Sequence, residues 1–268
     1  MIAQDLLIPV GPGQMPAYLA RPEEGSGRHP AVIVLQEVFG LTPETKRVTD
    51  LLVSVGYTGL AINYYHRTNP HLNEPYTEAG SANAFAAAAQ VSKQSLQTDI
   101  AAAAAWLDAQ DFVKPAMIAT WGFGFGATAA FLSATLPEIC AAICFYPGNV
   151  AKEMPSGEAA PVQDVSSIRA PLLLCFGEQD YYVSRHDMDR MSQALTSAGK
   201  NFRVQLYPNV GHSFFRHGRP EAIIEHHRYS DEAIAQAVAD SWDLVKAFLR
   251  ETFSRVQAPA GASADNRR

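Results

Sequence analysis

The amino-acid sequence predicts one α/β domain: a mainly parallel sheet with helices on both faces and an antiparallel N-terminal edge. Short apolar or β-branched runs alternate with longer helical stretches, the order that winds strands into a parallel sheet. Those runs are apolar at consecutive positions, as strands covered on both faces are. No internal repeat or linker splits the 268 residues into separate units.

The elements follow in order. "QDLLIPV" and "MPAYLARP" flank a Gly-Pro-Gly turn and predict an antiparallel hairpin at the sheet edge. "PAVIVLQ" is the first central strand. "TPETKRVTDLLVSVG" then predicts a helix, with Thr42 as N-cap, Pro43 at the first helical position and Glu44 in the first turn. Its Val48, Leu51, Leu52 and Val55 keep a helical spacing that would face the sheet. "YTGLAINYY", "PAMIATWG", "CAAICFYP", "APLLLCFG" and "FRVQLYP" are the remaining strands. The helices between and after them are "SLQTDIAAAAAWLDAQ", "GATAAFLSATLP", "HDMDRMSQALTSAGK" and "DEAIAQAVADSWDLVKAFLRETF". The domain is read as residues 1–253, and residues 254–268, small and polar without an apolar period, as a disordered tail.

With 47% hydrophobic and 18% charged residues, the chain has the composition of a soluble globular protein. A formal charge of −6 and the lack of a basic cluster argue against nucleic-acid or anionic-membrane partners. The N-terminus lacks a basic region followed by a long apolar core, so no secretory signal is expected, and the apolar runs are too short to span a bilayer. Cys140, Cys144 and Cys175 lie in apolar surroundings and are expected as buried thiols of a reducing compartment, the cytoplasm. His226 and His227 are adjacent on a helical stretch and diverge, so no metal site is expected, nor a cofactor. His66, His71 and His217 are expected near the mouth of a ligand crevice.

In such sheets ligands sit beyond the carboxyl ends of the strands. One strand there runs into Gly122-Phe123-Gly124-Phe125-Gly126 and then a helix. A phosphate loop would need Lys followed by Ser or Thr, but Ala127 and Thr128 follow. A dinucleotide fingerprint would need one more residue between its last two glycines. The strand-turn-helix context fits a hydrolase nucleophile elbow, with Gly124 where the nucleophile would stand. Later strands end in Asp180 and then His212, the acid-then-histidine order of α/β-hydrolases. Asp180 would orient His212, and His212 would move protons to and from the reacting groups. Taken singly, Asp180 also reads as a helix cap and His212 as a loop histidine. The first central strand ends at Glu37, which reads either as a site carboxylate or as an ion-pair partner of Lys46 or Arg216. The oxyanion donors of this architecture would be the N–H groups of Val38 and Phe125.

These residues make the chain resemble the dienelactone hydrolase family over roughly residues 5–250. The resemblance rests on "QEVFGL" around Glu37, "GFGFG" around Gly124, "GEQDYYV" around Asp180 and "GHSFFR" around His212. It implies a single-domain α/β-hydrolase that opens an enol-lactone or cleaves an ester with a Cys-His-Asp triad. It further implies that Glu37 helps activate the cysteine and that Arg216 holds a substrate carboxylate. The chain departs from that pattern twice. Gly124 replaces the cysteine, and Lys93 is the only Lys or Arg between Thr68 and Thr98, where a second substrate arginine is expected. The expected function is hydrolysis of a small carboxylic ester or lactone, impaired by the missing nucleophile. The alternative is an inactive relative that binds a small carboxylate or acyl ligand, or a protein partner.

Overall fold

Each apolar run of the sequence becomes a strand, and the strands join one eight-stranded sheet in the order β1-β2-β4-β3-β5-β6-β7-β8. They are β1 (Ile2–Val10), β2 (Gly13–Arg21), β3 (His29–Leu35), β4 (Thr58–Ile62), β5 (Val113–Phe123), β6 (Ala141–Phe145), β7 (Leu172–Gly177) and β8 (Phe202–Tyr207). The computed structural model describes residues 1–215 and 229–257. The β1-β2 hairpin is antiparallel and joins β4 antiparallel. All other pairings are parallel.

Pleating divides the consecutive apolar residues between two cores. On β3, Ala31, Ile33 and Leu35 enter one core while Val32 and Val34 enter the other. On β7, Leu172, Leu174 and Phe176 take the first side and Leu173 and Cys175 the second. Helices α3 (Lys93–Asp108), α4 (Phe125–Ser133) and α5 (Arg185–Ser197) cover the first face, with α2 (Glu78–Ala88) packed at its margin. Helices α1 (Pro43–Val53) and α6 (Asp231–Gln257) cover the second. Each fully buried Leu, Ile, Val or Phe removed from water adds on the order of 1.5–3 kcal/mol. A short 3-10 helix spans Pro161–Ser167.

The α1 expectation holds in detail: Thr42 Oγ1 accepts the Thr45 N–H at 3.3 Å, with Pro43 and Glu44 in the first turn. Cys144 and Cys175 are buried on opposite faces of the sheet, and all three cysteines are free. Two features differ from the sequence reading. Helix α2 was not anticipated. Helix α6 continues to Gln257, past the expected boundary at 253, because Phe253 is buried in the second core and anchors the last turns. Residues 258–268 lie outside the described residues. Among the described residues no helix is long and apolar enough to cross a membrane, and no group of His, Cys, Asp and Glu is arranged to hold a metal ion.

Candidate active site

Gly124 sits where β5 ends and α4 begins, with φ 54° and ψ −114°, in the conformation of a strained elbow. The flanking glycines are required by space. A Cβ on Gly122 would lie 2.0 Å from the Gly126 carbonyl oxygen, and one on Gly126 would lie 2.2 Å from the Leu35 and Gln36 carbonyl oxygens. Gly124 differs. A Cβ there would meet nothing closer than Glu37 Cγ and His212 Nε2, each at 3.8 Å. Its backbone is pinned, for the Gly124 N–H donates to the Phe145 carbonyl at 3.1 Å and its carbonyl accepts from Gly148 at 3.3 Å.

The acid and the base converge on that point. Gly177 at the end of β7 lets the two loops close up, since a Cβ there would strike the Val210 carbonyl at 2.5 Å. Asp180 Oδ1 accepts the Tyr182 and Val183 N–H groups at 2.8 Å each. His212 Nδ1 lies 2.9 Å from Asp180 Oδ2 and 3.2 Å from Oδ1. With its carboxylate side chain fully buried, Asp180 is an acceptor that draws the proton to Nδ1. Nε2 is then left as a lone-pair acceptor aimed at the elbow. The helix-cap alternative for Asp180 does not hold, because Ser184 caps α5.

Glu37 is buried at the end of β3, and Ser213 Oγ donates to its Oε1 at 3.0 Å. Lys46, a candidate partner for Glu37, instead pairs with Asp5. The Tyr64 hydroxyl donates to the Gln36 carbonyl and ties the β3 end to the loop after β4; burial pushes its phenol up, so it remains a donor. Val38 and Phe125 line the same cavity as Glu37, Gly124 and His212. That cavity encloses about 240 Å³, below the roughly 300–1,000 Å³ of drug-sized sites, so it suits a small molecule.

Sequence reasoning missed the ring of tyrosines. The Tyr146, Tyr182 and Tyr181 rings stand 5.0, 5.2 and 5.9 Å from the His212 ring. Their rings meet the imidazole edge-on or tilted and crowd its flanks. The paired tyrosines beside Asp180 were the available signal.

Other expectations move elsewhere. The His66 side chain is covered and meets Asp99 at 3.2 Å, rather than standing at the mouth. Arg67 grips the same Asp99 with two bonds of 2.7 and 2.8 Å. Lys93 pairs with Asp164 at 2.7 Å. None of these three lines the cavity. Arg216 and His217 lie outside the described residues. Four other hydroxyls and thiols of the described residues are engaged or sealed. Thr128 Oγ1 accepts from the Asn149 N–H, Ser81 Oγ donates to the Thr77 carbonyl, and burial pushes the Cys144 and Cys175 thiols up.

Residues 15–253 match the family described as "Dienelactone hydrolase family". The chain belongs to the dienelactone hydrolase family. A Synechocystis protein named "Putative carboxymethylenebutenolidase" is 31% identical over 87% of this chain and 90% of its own length. A Methylorubrum extorquens protein of the same name is 28% identical over 94% and 81%. The crystal structure of a "Putative Dienelactone Hydrolase" from Klebsiella pneumoniae superposes with a TM-score of 0.78 at 25% identity, covering 93% of this chain and 98% of that one. By family and fold the chain is a dienelactone-hydrolase-like hydrolase.

Proposed function

We propose that this dienelactone-hydrolase relative cleaves a small carboxylic ester or lactone by direct attack of water, with His212 as general base and no acyl-enzyme. The observation that carries this reading is the position of Gly124. A side chain there would point into open space 3.8 Å from His212 Nε2, and a water in that space lies within reach of the base. Nε2 takes a proton from the water as its oxygen bonds to the carbonyl carbon. The carbonyl electrons move to oxygen, where the Val38 and Phe125 N–H groups stabilise the charge. Collapse breaks the bond to the leaving oxygen, which takes the proton from the imidazolium. An ester gives acid and alcohol; a lactone gives the hydroxy acid. Asp180 holds the tautomer throughout, and Glu37, at the other side of the space, orients the water.

A net charge of −6 supports a small-molecule partner over a nucleic acid, and three free cysteines support a cytoplasmic location. No cofactor takes part in this route.

Three proteins on a small aryl ester test the reading. His212→Ala should lower turnover by roughly 10²–10⁴-fold, the worth of a general base. The unaltered chain should show no acyl adduct by mass spectrometry, whereas Gly124→Cys should show one. Gly124→Cys should also take up one equivalent of iodoacetamide that the unaltered chain does not, because burial pushes Cys140 up to about 12 and seals Cys144 and Cys175. Turnover unaffected by His212→Ala would sink the water route. An inactive chain that still binds small esters would favour the binding alternative.

A further inference from the structure

The two N–H groups assigned to the developing oxyanion come from separate elements. Val38 lies on the loop after β3, and Phe125 opens α4. One buried side chain touches both places. Tyr64, two residues past the end of β4, is 2% exposed and is not among the described residues that line the cavity. Its hydroxyl donates to the Gln36 carbonyl and approaches the Glu37 carbonyl at 3.4 Å. The Glu37 carbonyl and the Val38 N–H belong to one peptide unit. None of the described peptide bonds is cis, so that N–H points away from the carbonyl that Tyr64 meets. The Gln36 carbonyl also crowds the start of α4, for a Cβ on Gly126 would lie 2.2 Å from it. On the same side the Tyr64 ring meets the Phe125 ring edge-on, with centroids 5.9 Å apart. Burial pushes the phenol up, so the hydroxyl keeps its proton through the neutral range.

We propose that Tyr64 is the positioning residue of the oxyanion hole. Its hydroxyl sets the Glu37–Val38 peptide and its ring sets the start of α4, so that both N–H groups meet one carbonyl oxygen. A hydrogen bond to a peptide oxygen also polarises that peptide and strengthens its N–H as a donor. This role of Tyr64 rests on the assignment of Val38 and Phe125 made with the hydrolytic reading, but not on attack by water. Loss of a whole oxyanion donor costs roughly 10²–10³ in rate, and a donor kept but misaimed should cost less, about tenfold. The cost appears only where charge builds on a carbonyl oxygen. A reaction at the same point that forms no such charge should be spared.

Gly124→Cys supplies both reactions at one sulfur. Acetyl transfer from 4-nitrophenyl acetate bonds the sulfur to the carbonyl carbon and places the carbonyl electrons on oxygen; collapse then expels nitrophenolate. Alkylation by iodoacetamide bonds the same sulfur to a saturated carbon and expels iodide, with no oxyanion. Adding Tyr64→Phe to Gly124→Cys should slow acetylation about tenfold and leave alkylation within about twofold. Mass spectrometry and the nitrophenolate burst read the first, and mass spectrometry the second. Adding Phe125→Leu instead, which keeps the backbone donor but withdraws the ring, should slow acetylation roughly threefold with alkylation again spared. Equal slowing of both reactions would mean that Tyr64 only holds the fold, and unchanged acetylation would mean that it does not aim the donors; either result overturns the role. A Gly124→Cys protein that is alkylated but never acetylated would overturn the oxyanion assignment and Tyr64 with it. Selective slowing of acetylation, beside an unaltered chain that turns over no ester, would uphold Tyr64 while the hydrolytic reading fails. Circular dichroism checks that each variant folds, and if Tyr64→Phe does not, Phe125→Leu decides.

Discussion

A methyl group on Gly122 would sit 2.0 Å from the Gly126 carbonyl oxygen, whereas one on Gly124 would meet nothing closer than 3.8 Å. Three glycines in one short run therefore answer to different physics. Two are demanded by the close approach of strand and helix. The third is held at a positive φ that any side chain would find strained, at a cost of about 1–3 kcal/mol. Gly122→Ala and Gly126→Ala should prevent stable folding, and Gly124→Ala should lower the unfolding free energy by only about that strain. Thermal melts of the three variants check the order; equal losses would mean the elbow is packed differently. At this scale the sequence was informative where chemistry reads locally. Gly124, His212 and Glu37 line one cavity and Asp180 meets His212, because each follows a strand on the same edge of the sheet. It was silent on partners made across distance. Nothing local says that Lys46 reaches Asp5, that His66 turns inward to Asp99, or that Tyr146 closes over His212.

Among the elements, α5 shows how one helix start is held against solvent. Ser184 Oγ accepts the Asp187 N–H, Asp187 Oδ2 accepts the Ser184 N–H at 2.9 Å, and Lys152 stands 3.0 Å from the same carboxylate. Burial alone would push the Asp187 carboxyl up, but the Ser184 hydroxyl and Lys152 outweigh it and hold it below the usual carboxylate range. A carboxyl whose folded value lies below its unfolded one adds stability above the unfolded range and loses it as pH falls through the folded value. The stability gap between the unaltered chain and Asp187→Asn should thus be full at neutral pH and close on acidification below about pH 4. Urea titrations at several pH values measure it; a gap that widened toward acid would reverse the sign argued here. Helix α2 escaped the sequence reading for a reason visible in its residues. "EAGSANAFAAA" is alanine on every side, so burial of Ala84, Ala87 and Ala88 leaves no contrast between faces from which to read a helix. The strands had the opposite character, and all were legible.

Across the whole molecule, the centre of the sheet is tied to the end of the chain through aromatic packing. Trp121 on β5 stacks on Trp242 of α6 at 5.6 Å and 10°, and it also meets Phe123, Phe145 and Phe215. The elbow thus stands on a strand whose far face is closed by the last helix. Leu249, fully buried in that same core, should cost about 2–5 kcal/mol as Leu249→Ala. Urea unfolding followed by tryptophan fluorescence and by far-ultraviolet circular dichroism should shift together. If fluorescence alone moved, α6 would be detaching by itself. The extent of this helix was misjudged at its end because "SRVQ" carries no apolar period, while the anchoring Phe253 acts through the core.

The open space above Gly124 also has a meaning in the language of heredity. In the genetic code, a glycine codon ending in a pyrimidine becomes cysteine or serine by one change at its first base. Because the flanking glycines, the acid and the base are already set, no second change is needed to seat the new side chain. Where the Gly124 codon ends in a pyrimidine, a single base change would place a nucleophile at the elbow.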